Sequence, residues 1–152
     1  MAISDVLLDV GGVLILQKRD EVYKQACIET GIPVSRLQSL VRDFSKEEMQ
    51  GKNVDPREFI DRREKRISGQ KLLELRKALW DTEEVNQELI QFLLTHKNRV
   101  RFSILTNNYK AVDWVLHEKH SMERFYDRLI NSADIGVTKP DPKFFLYSIQ
   151  KL

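Results

Sequence analysis

Asp9 closes the apolar run Val6-Leu7-Leu8 and opens the turn Val10-Gly11-Gly12-Val13-Leu14. A carboxylate delivered into a glycine turn can act as a nucleophile, hold a metal ion, or do both. Two later segments end in complementary groups. Arg101-Phe102-Ser103-Ile104-Leu105 runs into Thr106-Asn107-Asn108, a hydroxyl followed by two carboxamides. Arg128-Leu129-Ile130-Asn131-Ser132 leads through a loop to Gly136-Val137-Thr138-Lys139-Pro140-Asp141-Pro142. A lysine, a hydroxyl and loop amides can together hold a phosphoryl group. Each segment has a plainer reading when taken alone. Asp9 would be a loop acid, Thr106-Asn107-Asn108 a helix cap, and Lys139 a solvated cation. The coincidence of all three after apolar runs favours a shared site.

The elements that must carry these groups are short buried strands. Aliphatic runs bounded by glycine and polar clusters read as strands of a parallel sheet, buried on both faces. Open sheets of this kind bind ligands beyond the carboxyl ends of their strands. Helices alternate with the strands. Val85, Leu89, Phe92 and Leu93 form one apolar face, with Asp81 and Glu84 as a loose capping box. Val112, Val115 and Leu116 form another such face. The expected architecture is therefore α/β, a doubly wound parallel sheet. The long stretch after the first strand is helical. A first helix over 19–30 stops at Gly31-Ile32-Pro33. A second carries Leu37, Leu40, Val41 and Phe44, with Ser35 as its cap. A third opens at Asp55-Pro56, and a fourth carries Leu72, Leu75 and Leu79. The expected division is an α/β core over 1–16 and 81–152, with a helical insertion over 17–80.

On these motifs the chain resembles the haloacid dehalogenase superfamily, most of whose members are phosphatases. The resemblance rests on Asp9 to Leu14, on Thr106 and Asn107 closing an apolar strand, and on Gly136, Lys139, Pro140, Asp141 and Pro142. It covers nearly the whole chain. It implies a Rossmann-like core with an α-helical cap over the active site. It also implies a magnesium-dependent hydrolase acting on a small phosphate monoester. Asp9 and Lys139 would be catalytic, Asp9 forming an aspartyl-phosphate. Thr106, Asn107 and Gly12 would bind phosphate, and Asp9 and Gly11 would hold Mg2+. The segment from Met49-Gln50-Gly51 to Phe59 also looks like part of a family cap.

Two features depart from the family pattern. Gly11 stands where most relatives carry a second aspartate, the general acid and base. The chain stops at Leu152, before the acidic fourth motif that completes the family's metal site. Weak magnesium binding is expected, and the C-terminal core strands are expected to be missing. The strand carrying Val6 to Asp9 would then lie at an open sheet edge, and such edges recruit other strands. A homodimer through that edge is one expectation. The other readings left open are a 2-haloacid dehalogenase, attacking carbon without metal, and a non-catalytic relative that binds a phosphorylated ligand or a partner.

Composition bounds the rest. The 152 residues carry 25 basic and 23 acidic side chains, 41% hydrophobic content and a net charge of +2. That balance argues against a nucleic-acid or anionic-membrane partner. A lone cysteine, Cys27, allows no internal disulfide and fits a reducing, cytoplasmic setting. No run is long and apolar enough for a membrane span. His117 and His120 read as a solvated helix end. Arg62-Arg63-Glu64-Lys65-Arg66 reads as a charged helix face. Trp80 and Trp114 read as core or hinge residues.

Overall fold

The computed structural model describes residues 3–152 and separates them into two compact units. One is an α/β unit that runs up to Leu16 and includes Met49–Gly51 and Glu84–Leu152. The other is helical, Gln17–Glu48 and Lys52–Glu83.

The α/β unit is built on three parallel strands in the order β1 (Asp5–Leu8), β4 (Arg101–Thr106), β5 (Arg128–Asn131). Among the described residues β1 therefore ends the sheet. Leu8 pairs with Ile104, and Thr106 pairs with Asn131. All three strands thus point their carboxyl ends the same way. Alternation along each strand sends side chains to two faces. Val6, Leu8, Phe102 and Ile104 join a core with Ile90 and Leu93 of α5 (Gln87–His96). Val112 and Leu116 complete it, from α6 (Val112–Trp114) and the π-helical turn Val115–Lys119 that continues it. On the opposite face Leu105 and Ile130 pack with Phe144 of α8 (Pro142–Lys151). Helices on both faces make this a doubly wound parallel sheet.

The helical unit contains α1 (Asp20–Thr30), α2 (Val34–Met49), α3 (Pro56–Asp61) and α4 (Gly69–Asp81). Tyr23, Leu37, Leu40, Phe44, Phe59, Ile60, Leu72, Leu75 and Leu79 form its apolar core. Gly31 ends α1 in the left-handed conformation and donates its amide to the Cys27 carbonyl. Asp55 caps α3, accepting from the Arg57 and Glu58 amides, with Pro56 in the first turn. Ser68 caps α4 through the Lys71 amide at 3.1 Å.

The structure corrects several local expectations. Ser35 does not cap α2. The helix begins at Val34, and the Pro33 carbonyl accepts from the Arg36 and Leu37 amides. Asp81 ends α4 rather than opening α5. A short strand β3 (Glu83–Val85) follows and pairs with β2 (Ile15–Gln17), and Asn86 is the cap. Asn86 wins that role because it bonds in two directions, accepting from the Leu89 amide and donating to the Val13 carbonyl. Phe92 is 58% exposed and stacks on His96, because Ile90 and Leu93 form the buried stripe of α5. Trp114 is 62% exposed rather than core. No helix among the described residues is long and apolar enough to cross a membrane.

Candidate active site

Asp9 is the first residue beyond β1. Its Oδ1 accepts the Val10 amide at 2.8 Å, and its Oδ2 lies 2.8 Å from the Lys139 ammonium. The turn behind it is tightly wound. The buried Val10 carbonyl accepts from the Leu14 and Ile15 amides at 3.0 and 2.9 Å, and the Gly12 amide returns to the Ile15 carbonyl at 2.8 Å. Gly12 adopts φ +76°, a conformation that a residue with a Cβ resists.

Lys139 reaches this point from the loop between the short helix at 132–135 and α8. Its Nζ also donates to the Leu105 carbonyl at 2.7 Å, so the ammonium bridges the ends of β1 and β4. The Asp9 side chain is 45% exposed. An ion pair that open contributes about 0–1 kcal/mol to folding. Ordering a lysine side chain costs about as much or more in rotamer entropy. Stability is therefore a poor reason for the arrangement, which makes Asp9 a candidate reactive group.

Asn107 fixes the lysine. Its Nδ2 donates to the Lys139 carbonyl at 2.9 Å, and its Oδ1 accepts the Lys139 amide at 2.7 Å. Both polar ends of the carboxamide are thus used on one residue's main chain. Downstream, Asp141 caps α8 through the Lys143 amide at 2.9 Å, with Pro142 in the first turn. The loop is pinned on both sides of Lys139.

Of the expected phosphate ligands, Thr106 closes β4 and is 1% exposed. Its neighbour strand ends at Leu8, so Asp9 and Thr106 leave the same edge of adjacent strands. Asn107 and Gly12 are at this edge too, but their polar groups are occupied by the Lys139 main chain and the Ile15 carbonyl. Gly11 is exposed and bridges to Ile15.

Two residues here were not singled out from the sequence. Asn131 and Ser132, 2% and 0% exposed, both accept the Asn108 amide at 3.2 Å. Asn131 also donates to the Tyr109 carbonyl at 3.0 Å. The available signal was a polar pair closing an apolar strand, the same pattern that marks Thr106-Asn107. Elsewhere, His117 lies in the last turn of its helix, 38% exposed, and is also engaged by neighbours. Its Nε2 lies 2.5 Å from the Tyr126 hydroxyl and 3.5 Å from an Asp113 carboxylate oxygen. No group of three or more His, Cys, Asp or Glu side chains among the described residues is placed to hold a metal ion.

The Asp9 carboxylate and the Lys139 ammonium meet beside the carboxyl ends of β1 and β4, the edge at which open parallel sheets bind ligands. Comparison with known proteins narrows this. The family model for haloacid dehalogenase-like hydrolases matches residues 6–152, and the chain belongs to that family. Pyrimidine 5'-nucleotidase YjjG of Escherichia coli (strain K12) is 27% identical over 62 residues, which is 41% of this chain. That match spans only 28% of the nucleotidase's length. A family enzyme of Bacteroides thetaiotaomicron, solved in complex with magnesium and inorganic phosphate, superposes with a TM-score of 0.69 at 17% identity. That superposition covers 99% of this chain and 79% of the Bacteroides protein. L-2-haloacid dehalogenase of Xanthobacter autotrophicus, with chloropropionic acid covalently bound, gives a TM-score of 0.65 at 16% identity, covering 99% and 65% of the two chains. At such identities the two structural matches speak to the fold alone.

Proposed function

We propose that this hydrolase cleaves small phosphate monoesters through a phosphoryl-aspartate on Asp9. The observation that carries the reading is the half-exposed Asp9 carboxylate held 2.8 Å from Lys139 at the rim of a parallel sheet. In this reading an Asp9 oxygen attacks phosphorus, the P–O bond to the alcohol breaks, and water then cleaves the acyl phosphate. Lys139 neutralises charge on the nucleophile and on the phosphoryl group. The Thr106 hydroxyl donates to a phosphoryl oxygen. Asn107 contributes by fixing Lys139.

A magnesium ion would be held by Asp9 and the Gly11 carbonyl, with phosphoryl and water oxygens completing its shell. When bound, it would neutralise phosphate charge and draw the two anions together. One carboxylate and one carbonyl form a sparse donor set, so binding is expected to be weak without substrate.

Gly11 offers no side chain to protonate a leaving alcohol. Substrates whose leaving group departs as a stable anion should therefore react fastest. The test is hydrolysis of p-nitrophenyl phosphate with magnesium by the parent chain and by Asp9→Asn. The parent should turn over and the variant should not, with the circular dichroism spectrum unchanged. Activity retained in Asp9→Asn would refute the nucleophile assignment.

The absent acid also favours a second reading. Halide leaves carbon without needing a proton, so an Asp9 oxygen would displace halide from C2 of a 2-haloacid, forming an ester that water then cleaves, with Lys139 as the cationic partner. Halide release without added metal, in a preparation inert towards phosphate esters, would select this reading over the first.

A further inference from the structure

We infer that Asn131 and Ser132 are positioning residues for the reactive rim, acting through the main chain of Asn108 and Tyr109. This deepens the hydrolase reading above and rests on it for its catalytic consequence.

The register places Asn131 directly beside Thr106. From there its carboxamide reaches past the end of β4. Oδ1 accepts the Asn108 amide at 3.2 Å, and Nδ2 donates to the Tyr109 carbonyl at 3.0 Å. The Ser132 hydroxyl takes the same Asn108 amide at 3.2 Å, from the first residue of α7 (Ser132–Ile135). Both side chains are buried, and unpaired polar groups there would be costly. Their hydrogen bonds are satisfied only while the chain after Thr106 keeps this path.

The arrangement repeats one step further on. Asn107 brackets the amide and carbonyl of Lys139 as Asn131 brackets the amide of Asn108 and the carbonyl of Tyr109. The end of β5 thus holds the loop after β4, that loop holds Lys139, and Lys139 holds Asp9. Neither Asn131 nor Ser132 contacts Asp9 or Lys139 in any hydrogen bond. Their effect on chemistry is through geometry, and small misplacements at a reactive centre are expensive.

The test compares Ser132→Ala, Asn131→Ala, the double variant and the conservative Ser132→Thr in the full chain. Because both side chains serve one amide, each single variant leaves one acceptor and the double variant leaves none. In the double variant kcat for p-nitrophenyl phosphate should fall by about 100-fold, more than the two single losses combined predict, while KM changes little. Ser132→Thr, which keeps the hydroxyl, should recover most of the Ser132→Ala loss. Hydrogen exchange of the Asn108 amide should accelerate as kcat falls.

An Asn108 amide that exchanges at the parent rate in the double variant would overturn the inference, as would a folded double variant with parent kcat. If the double variant does not fold, Ser132→Ala carries the same two readouts, and no change in either overturns it. A parent chain inert towards phosphate esters would defeat the hydrolase reading alone. The Asn108 exchange rate still decides the brace in that case.

Discussion

In the α/β unit Ser103, Thr106, Asn131, Ser132 and Ser148 are all buried, whereas in the helical unit Arg76 is the one buried polar side chain among the described residues. The difference follows what each unit does with its interior. Three of the five polar residues, Thr106, Asn131 and Ser132, cluster at the strand ends that carry the candidate site. The helical unit instead fills its centre with leucine, isoleucine and phenylalanine. Its buried guanidinium is matched by Glu48 at 2.5 Å and lies over the rings of Phe44 and Trp80. Several of its other charges pair on the surface, such as Arg62 with Glu58 and Lys77 with Asp81. Both units have an apolar core, and the α/β unit adds buried hydrogen-bonding side chains at its strand ends.

The contrast predicts that substitutions in the two units separate activity from stability. Lys139→Ala should have the largest effect, lowering kcat by about 100- to 1,000-fold with little change in melting temperature. Steady-state kinetics beside a thermal melt check it, and a loss of both together would blur the distinction. Leu40→Ala removes a fully buried side chain from the helical core. Such truncations cost about 2–5 kcal/mol, read as a shift in the urea midpoint. Turnover per folded molecule should change far less than in Lys139→Ala.

A smaller gain is expected from Gly11→Asp. The space where a Cβ would stand at Gly11 is open, and the backbone there is not left-handed. The variant places a carboxyl two residues after Asp9, where it could protonate a leaving alcohol, so kcat on alkyl phosphates should rise relative to p-nitrophenyl phosphate. An unchanged ratio would show that leaving-group protonation is not limiting.

The smallest effect concerns pH. Hydrogen bonding from the Arg66 side chain, aided by Arg36, holds the Glu64 carboxyl at about 2, below its ordinary 4.5. A carboxylate depressed in the folded state stabilises it above the unfolded value and loses that contribution as pH falls. Glu64→Gln should therefore flatten the loss of stability between pH 4.5 and 2, as followed by acid titration of the circular dichroism signal. An equally steep acid limb in the variant would remove Glu64 from the account. Gly51 marks where the two-unit division is subtle. Although it follows α2, it belongs to the α/β unit, and a Cβ there would meet the Ala133 carbonyl at 2.7 Å.

Asp9, Thr106 and Lys139 were legible in the sequence because glycine and proline punctuate the ends of apolar runs, and that punctuation has few structural meanings. The apolar stripes of α2 and α4 were legible for a similar reason, since helical periodicity is local. Phe92 lies outside the buried stripe of α5, because hydrophobicity alone does not say which face meets a neighbour. Asp81-Glu84 matched a capping pattern, yet Asn86 caps α5 through the Leu89 amide while its Nδ2 donates to the Val13 carbonyl, far away in the chain.

The amino-acid order alone determined which chemical groups stand at strand ends and which segments alternate as strand and helix, because those depend on neighbours a few residues apart. Strand order, register and partner choice belonged to the folded molecule. That Asn107 grips Lys139, that Asn131 lies beside Thr106, and that Lys139 reaches Asp9 are relations between distant segments. Hydrogen bonds of that kind form only once packing has brought their ends within about 3 Å of each other.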